Sequence, residues 1–82
     1  EQVPDATPEE RLEYKELEEV INRALRKLPR RRQAIFRMHR LEGLKYKEIA
    51  DTLSLSVKTI EAEMTKTYQE LRREIEKYTY VL

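Results

Sequence analysis

Residues 42–64 contain two helical patterns so close together that only a short turn fits between them. Ile49, Ala50 and Leu53 follow an i, i+1, i+4 spacing, which gives the first helix an apolar face. Hydroxyl residues come next, and Ser56 is a suitable N-cap for the second helix. Ala50 is small enough to let two steeply crossing helices approach closely. The pattern predicts a helix-turn-helix, in which the second helix enters the DNA major groove. An ordinary helical hairpin is the alternative.

Helical patterns also precede and extend this motif, and together they predict an all-α fold, a small four-helix domain. Thr7 is a suitable N-cap and Pro8 suits the first helical position. Pro29 separates the first two helices, and Gly43 falls where a helix end needs a left-handed residue. Ser54 stands where helix-turn-helix proteins often have glycine, which predicts a slightly different turn. We expect helices at about 8–27, 30–41, 46–53 and 57–78, after a flexible leader at 1–6.

The apolar residues of three helices recur at helical spacing and predict a single modest core. The first helix should bury its stripe against the others, and Phe36 should lie on a neighbouring face of the second helix. The expected core residues are Leu12, Leu17, Val20, Ile21, Ala24, Leu25 and Leu28, then Ala34, Ile35, Met38 and Leu41, and finally Val57, Ile60, Met64, Thr67 and Leu71.

Composition narrows the class of protein. The 82 residues include no cysteine, which excludes disulfides and thiolate metal sites and suits a reducing cytoplasm. No apolar run approaches the roughly 18 residues of a membrane span, so we expect no membrane insertion. The first residue is Glu1 rather than methionine, which indicates a fragment of a longer protein. We expect a monomer, because no heptad seam is visible, and we expect no metal and no cofactor.

Charge is distributed unevenly along the chain. Residues 1–28 hold five Lys/Arg and eight Asp/Glu, a net charge of −3. Residues 29–82 hold twelve and eight, a net charge of +4. Positive charge therefore collects on the part that contains the helix-turn-helix, which is the sign expected of a phosphate-binding surface.

Over half of the chain resembles region 4, the C-terminal domain, of bacterial RNA polymerase sigma factors of the extracytoplasmic-function group. The acidic first helix also fits that family. The resembling motifs are Leu28-Pro29, Ile35-Phe36, Glu42-Gly43-Leu44, Tyr46-Lys47-Glu48-Ile49-Ala50, Leu53-Ser54-Leu55-Ser56, Val57-Lys58-Thr59-Ile60-Glu61 and Leu71-Arg72.

The resemblance implies a promoter-recognition module at residues 7–82, with its helix-turn-helix at about 45–66. Such a module binds double-stranded promoter DNA at the −35 element and docks on the β flap of core RNA polymerase. An anti-sigma factor is a further partner that the resemblance implies. Two alternatives stay open: a LuxR-type DNA-binding domain, and a helical protein-interaction domain with little DNA binding. An enzyme is the weakest reading, because no catalytic constellation or Gly-rich phosphate loop is present.

Several side chains of the last helix should point away from its apolar stripe, at 100° per residue, and are candidates for base readout. Ala62 can contact a thymine methyl group, and Lys66 can bind guanine or a phosphate. A solvated outer face is the alternative. The candidates are Lys58, Ala62, Thr65, Lys66 and Gln69, to which the resemblance adds Glu61 as an acceptor for a cytosine amino group.

Phosphate contacts are predicted around this face. Ser56 and Thr59 lie near a helix N-terminus, where backbone N–H groups favour anions. Tyr46 could equally be a core ring with its hydroxyl at the surface. The candidates are Lys45, Tyr46, Lys47, Ser56 and Thr59, extended by Arg37 and Arg40.

Three further features have competing interpretations. Arg30, Arg31 and Arg32 could bind phosphate or be solvated, but positive charge at a helix N-terminus is unfavourable without an acidic partner. Glu63 is expected at the rim of the DNA face, where it would repel phosphates and pair with Lys66. His39 has no second ligand in sight, so a surface role is favoured over a metal site.

Overall fold

The computed structural model describes residues 8–81 and the side chains of residues 13–78. The described residues form four helices and no strand, which confirms the all-α prediction: α1 (Pro8–Lys27), α2 (Arg30–Arg40), α3 (Tyr46–Leu53) and α4 (Val57–Val81). α4 is three residues longer than expected. The leader predicted at 1–6, the N-cap predicted at Thr7 and the side chain of Leu12 lie outside the described residues.

The core lies where α2, α3 and α4 meet. Ile35 from α2, Ile49 and Ala50 from α3, and Ile60 and Met64 from α4 form one buried cluster. The predicted steric role of Ala50 fits its place in this cluster, because α3 and α4 pack together there with Ala50 only 3% exposed. The helix-turn-helix is therefore held by the same side chains that form the core.

α1 packs mainly against α4 and closes the other side of the domain. Ala24 and Leu28 are buried there, as is Leu71 of α4. The other described residues of the predicted α1 stripe are only half-buried, and the flank with Leu17, Ile21 and Leu25 faces an open groove beside α2 rather than another helix. The half-buried stripe residues are Leu17, Val20, Ile21 and Leu25.

Two residues expected in the core are exposed. Leu41 caps the C-terminus of α2 and is 76% exposed, because it points about 120° away from Ile35 around the helix axis. Val57 opens α4 and is 38% exposed. The buried arc of α4 is rotated away from Val57 and toward Glu63, so it consists of Ile60, Glu63, Met64, Thr67 and Leu71.

Two left-handed residues end the helices before the turns. Gly43 has φ +72, as predicted, and the Leu44 N–H donates to the Met38 carbonyl at 3.0 Å across the end of α2. Ser54 has φ 56 and ψ 44, and the Leu55 N–H donates to the Ala50 carbonyl at 2.9 Å. The predicted change in turn geometry is wrong, because Ser54 adopts the left-handed conformation that glycine favours.

We expect Ser54→Gly to raise the free energy of unfolding by about 0.5–1 kcal/mol. The left-handed conformation costs a residue with a Cβ roughly 1–2 kcal/mol, and the greater unfolded-state freedom of glycine offsets part of the gain. Gly43→Ala is the matched control: open space surrounds Gly43, so backbone strain alone should lower stability. Urea denaturation measures both changes, and a less stable Ser54→Gly protein would contradict the prediction.

Candidate nucleic-acid interface

The face of α4 opposite the core is polar and exposed. Ile60, Met64 and Thr67 point into the core with Glu63 beside them, and the other residues between them in sequence point outward. Thr67 is fully buried because its hydroxyl donates to the Glu63 carbonyl at 2.8 Å, which satisfies the polar group within the helix. All six side chains predicted for base readout are exposed: Lys58, Glu61, Ala62, Thr65, Lys66 and Gln69.

Hydroxyl groups cap the start of this helix. The Thr59 N–H donates to the Ser56 Oγ at 3.1 Å, which makes Ser56 the N-cap that the sequence predicts. The two hydroxyl oxygens also lie 2.9 Å apart and hydrogen-bond to each other. Ser56 is exposed and Thr59 is half-buried, so this end of α4 reaches solvent beside the outward face.

The start of α3 lies beside α4 on the flank that carries Glu61. Lys45 and Lys47 are exposed, and the Lys45 N–H donates to a Glu48 carboxylate oxygen at 2.8 Å. Tyr46 between the two lysines is half-buried and packs against the core cluster, with its ring centroid 4.9 Å from that of His39. The interpretation of Tyr46 as a core ring is thus supported, and its contact with phosphate stays a prediction.

The pKa of the Tyr46 hydroxyl is affected by burial and by two neighbouring residues, Tyr68 and Glu61. Burial raises the pKa of the Tyr46 hydroxyl above its usual value, and Tyr68 and Glu61 raise it further. Tyr46 therefore stays protonated and keeps an O–H group that can donate. The surface role of His39 stays a prediction: the ring is half-buried, and its Nδ1–H donates to the Leu44 carbonyl at 2.9 Å.

Glu63 does not lie at the rim of the DNA face, and the predicted pairing with Lys66 is wrong. Its side chain is buried, because the buried arc of α4 is rotated toward it. Its carboxylate accepts from the Nε–H of two arginines at the start of α2: Arg31 at 2.9 Å and Arg32 at 3.2 Å. Arg31 and Arg32 thus have the acidic partner that their position requires.

The Glu63 carboxylate replaces an acid that α2 lacks. The first turn of α2 contains no acidic residue, and Pro29 at the N-cap provides no side-chain cap. Burial alone would raise the pKa of Glu63, but the hydrogen bonds and positive charges of Arg31 and Arg32 outweigh burial and lower it. An anion also interacts favourably with the positive end of the helix dipole. Glu63 is ionised at neutral pH and holds α2 to α4.

Arg37 and Arg40 lie apart from the other candidates. Both are exposed and line the groove between α1 and α2, on the side of α2 that faces away from Ile35. The floor of this groove is apolar, with Leu17, Ile21 and Phe36 among its lining residues. The sequence does not predict this groove, because the apolar α1 residues that line it are expected from their spacing to be buried against the other helices. Phosphate contact by Arg37 and Arg40 stays a prediction.

A short helix (α3), a tight turn with one left-handed residue, and a second, longer helix (α4) with an exposed polar face define the class of small helix-turn-helix domains. Within this class, the model of the family "Sigma-70, region 4" matches residues 18–71. The chain therefore belongs to the sigma-70 region 4 family.

Region 4 domains are DNA-binding parts of the sigma factors that act in transcription initiation with RNA polymerase, and the family is not enzymatic. Of the classes considered from the sequence, the match favours the sigma domain over a LuxR-type domain. No curated protein matches the chain. Within residues 8–81, no helix has the length and apolarity needed to cross a membrane.

Proposed function

We propose that this domain recognises the −35 promoter element for an extracytoplasmic-function sigma factor. α4 enters the major groove with its exposed face toward the bases. The observation that carries the proposal is this face: six exposed side chains, of mixed hydrogen-bonding capacity, opposite a fully buried core stripe. Family membership supports the DNA-binding role, and the charge of the 29–82 segment supports contact with phosphate.

Base readout falls to the outward face of α4. Ala62 is small and exposed, so a base can approach closely and place a thymine methyl against it. Thr65 and Gln69 hydrogen-bond base edges, and Glu61 accepts from a cytosine amino group. Lys58 and Lys66 reach guanine or the backbone. The arrangement suits a helix about 10–12 Å wide in a groove about 12 Å wide.

Phosphate contacts fix the register of the helix in the groove. Lys45 and Lys47 are exposed on the Glu61 flank, where Tyr46 can add its hydroxyl. Ser56 and Thr59 present the capped start of α4 to a neighbouring phosphate. The alternative of a protein-interaction domain with little DNA binding loses part of its support, because Glu63 is paired with arginines rather than exposed at the rim.

The groove between α1 and α2 is the surface that docks on core polymerase. Its apolar floor suits the face of an amphipathic helix, and its rim carries three arginines against one glutamate. This composition suits the β flap of polymerase if the docking segment is apolar on one side and acidic at its edges. An anti-sigma factor would act by covering the same groove. The lining arginines are Arg26, Arg37 and Arg40, and the glutamate is Glu18.

We propose that residues 7–82 act as one such module, as a cytoplasmic monomer. The test titrates the domain with a −35 duplex, with a scrambled duplex and, separately, with the isolated β flap. Tighter binding to the promoter duplex than to the scrambled one supports recognition, and binding to the flap supports docking. Equal, negligible binding to both duplexes would contradict the proposal and favour the protein-interaction alternative.

Lys66→Ala should weaken binding to promoter DNA. If Lys66 contacts a phosphate, the slope of log K against log salt should fall by about 0.9 in magnitude, because one fewer counterion is released. If it reads guanine, the loss should be confined to one base pair, at roughly 1–3 kcal/mol. Lys77→Ala is the matched control, since Lys77 is exposed but pairs with Glu74 far along the same helix. Equal effects of the two variants would remove Lys66 from the interface.

A further inference from the structure

We propose that Glu63 is a positioning residue that fixes Arg31 as a second phosphate-binding edge beside α4. This edge lies on the side of the recognition helix opposite Lys45 and Lys47. The inference rests on the proposed function, because it assigns a further contact to the same DNA interface. It extends that function, in which backbone contacts come from the α3 flank and from lysines and hydroxyl groups of α4.

The two flanks of α4 can be told apart by its glutamates. Glu61 and Glu63 are two residues apart, so their side chains leave the helix about 200° apart. Tyr46 opens α3, which packs against α4, and the nearby charge of Glu61 raises the pKa of its hydroxyl, whereas Arg31 at the start of α2 is hydrogen-bonded to Glu63 at 2.9 Å. The starts of α2 and α3 therefore flank the recognition helix on opposite sides. A helix in the major groove has a phosphate strand on each side, so both flanks face phosphates.

Arg31 is suited to contact the phosphates of the second DNA strand. Its side chain is 54% exposed although one of its donors is held by Glu63, whereas Arg32 is 23% exposed. The bond to Glu63 uses the Nε–H at 2.9 Å, and guanidinium has five N–H donors in a planar fork. Nη donors thus remain for a phosphate. Two arginines share one carboxylate, so the cluster keeps a net positive charge.

Glu63 provides the positioning. Its buried carboxylate is anchored on α4, the same helix that carries the base-reading side chains. A guanidinium held at this carboxylate has a defined distance from those side chains, whereas an unheld arginine must lose its rotamer freedom on binding. Lys66 lies one turn further and about 60° around the helix from Glu63, and extends the same edge. Arg31 and Lys66 would contact one strand, and Lys45 and Lys47 the other.

The test measures binding of the whole domain to the promoter duplex over a series of salt concentrations. Arg31→Ala should lower the magnitude of the salt slope by about 0.9, the value for one phosphate contact. Arg23→Ala is the matched control, because Arg23 is an exposed arginine of α1, and it should leave the slope unchanged. An unchanged slope for Arg31→Ala in a domain that still binds overturns this inference alone. A wild-type domain that does not bind the duplex overturns the proposed function.

The positioning role is tested by Arg31→Ala in a Glu63→Gln background. We expect the fold-loss of affinity caused by Arg31→Ala to fall to less than half of its value in the wild-type background. Equal losses in both backgrounds would show that Glu63 does not position Arg31. Arg31→Lys is a second test that does not depend on whether Glu63→Gln folds. Lysine keeps the charge but lacks the planar fork, so this variant should weaken binding. An Arg31→Lys variant with wild-type affinity and slope would overturn the positioning role.

Discussion

Replacing Ile60 with alanine should lower the free energy of unfolding by about 2–5 kcal/mol. Ile60 is fully buried between α2, α3 and α4, so the truncation removes apolar contacts and leaves a cavity at the junction of three helices. A domain of 82 residues has a total stability of roughly 4–12 kcal/mol. The loss is therefore a large fraction of the whole. Urea denaturation monitored by circular dichroism measures it.

Val57→Ala is the matched control for this prediction. Val57 lies three residues earlier on the same helix, is also β-branched, and is 38% exposed. Its truncation should change stability by about 0.5 kcal/mol or less, as is usual for surface positions. Comparable losses for the two variants would contradict the rotated buried arc of α4 and restore Val57 to the core.

The helices could be predicted from the sequence because their signals are local. The i, i+1, i+4 spacing of Ile49, Ala50 and Leu53 gave α3 with both ends correct, and Pro29 and Gly43 marked the limits of α2. These signals depend on residues within one or two turns. The conformation of Ser54 was less accessible, because serine seldom adopts a left-handed backbone and only the packing of α3 on α4 requires it here.

Burial was predicted less well, because a helical pattern gives relative angles and no absolute direction. The pattern placed Ile60, Met64 and Leu71 on one stripe of α4, correctly, and Val57 with them, incorrectly. Which edge of a stripe is covered depends on where neighbouring helices cross. The wrong prediction for Leu41 has the same cause, because no residue near it in sequence shows that this side of α2 is exposed at the end of the helix.

The outward face of α4 could be predicted from residues of that helix alone, whereas the burial and partners of Glu63 could not. The face opposite a stripe is outward whatever covers the stripe, so its six candidates are all exposed. The partners of Glu63 are 32 and 31 residues away in sequence, and only the fold brings them together. A usable signal was present, since three arginines opening a helix without an acid in its first turn require an acid from elsewhere. The position of Arg37 and Arg40 could not be predicted from the sequence either, because only the packing of α1 beside α2 forms the groove that they line.

Glu63→Gln should lower the free energy of unfolding by about 1–3 kcal/mol at neutral pH. Glutamine keeps the shape but loses the charge, and each charge-assisted hydrogen bond contributes roughly 1.5–3 kcal/mol before solvent screening of the half-exposed Arg31 reduces it. Glu70→Gln is the matched control: Glu70 is on the same helix and pairs with Arg73, but both are solvent-accessible. Such a surface pair contributes about 0.3–0.5 kcal/mol.

Acid should abolish the difference between wild-type and Glu63→Gln proteins. The pKa of Glu63 is lowered in the folded state, so its contribution to stability is fully present above the pKa of the unfolded chain. That contribution is lost as the pH falls through the folded-state pKa, below the ordinary value of 4.5. Denaturation curves between neutral pH and about pH 3 measure this loss. A Glu63 at the rim would behave like Glu70, so equal small effects at neutral pH would contradict the buried ion pair and with it the attachment of α2 to the recognition helix.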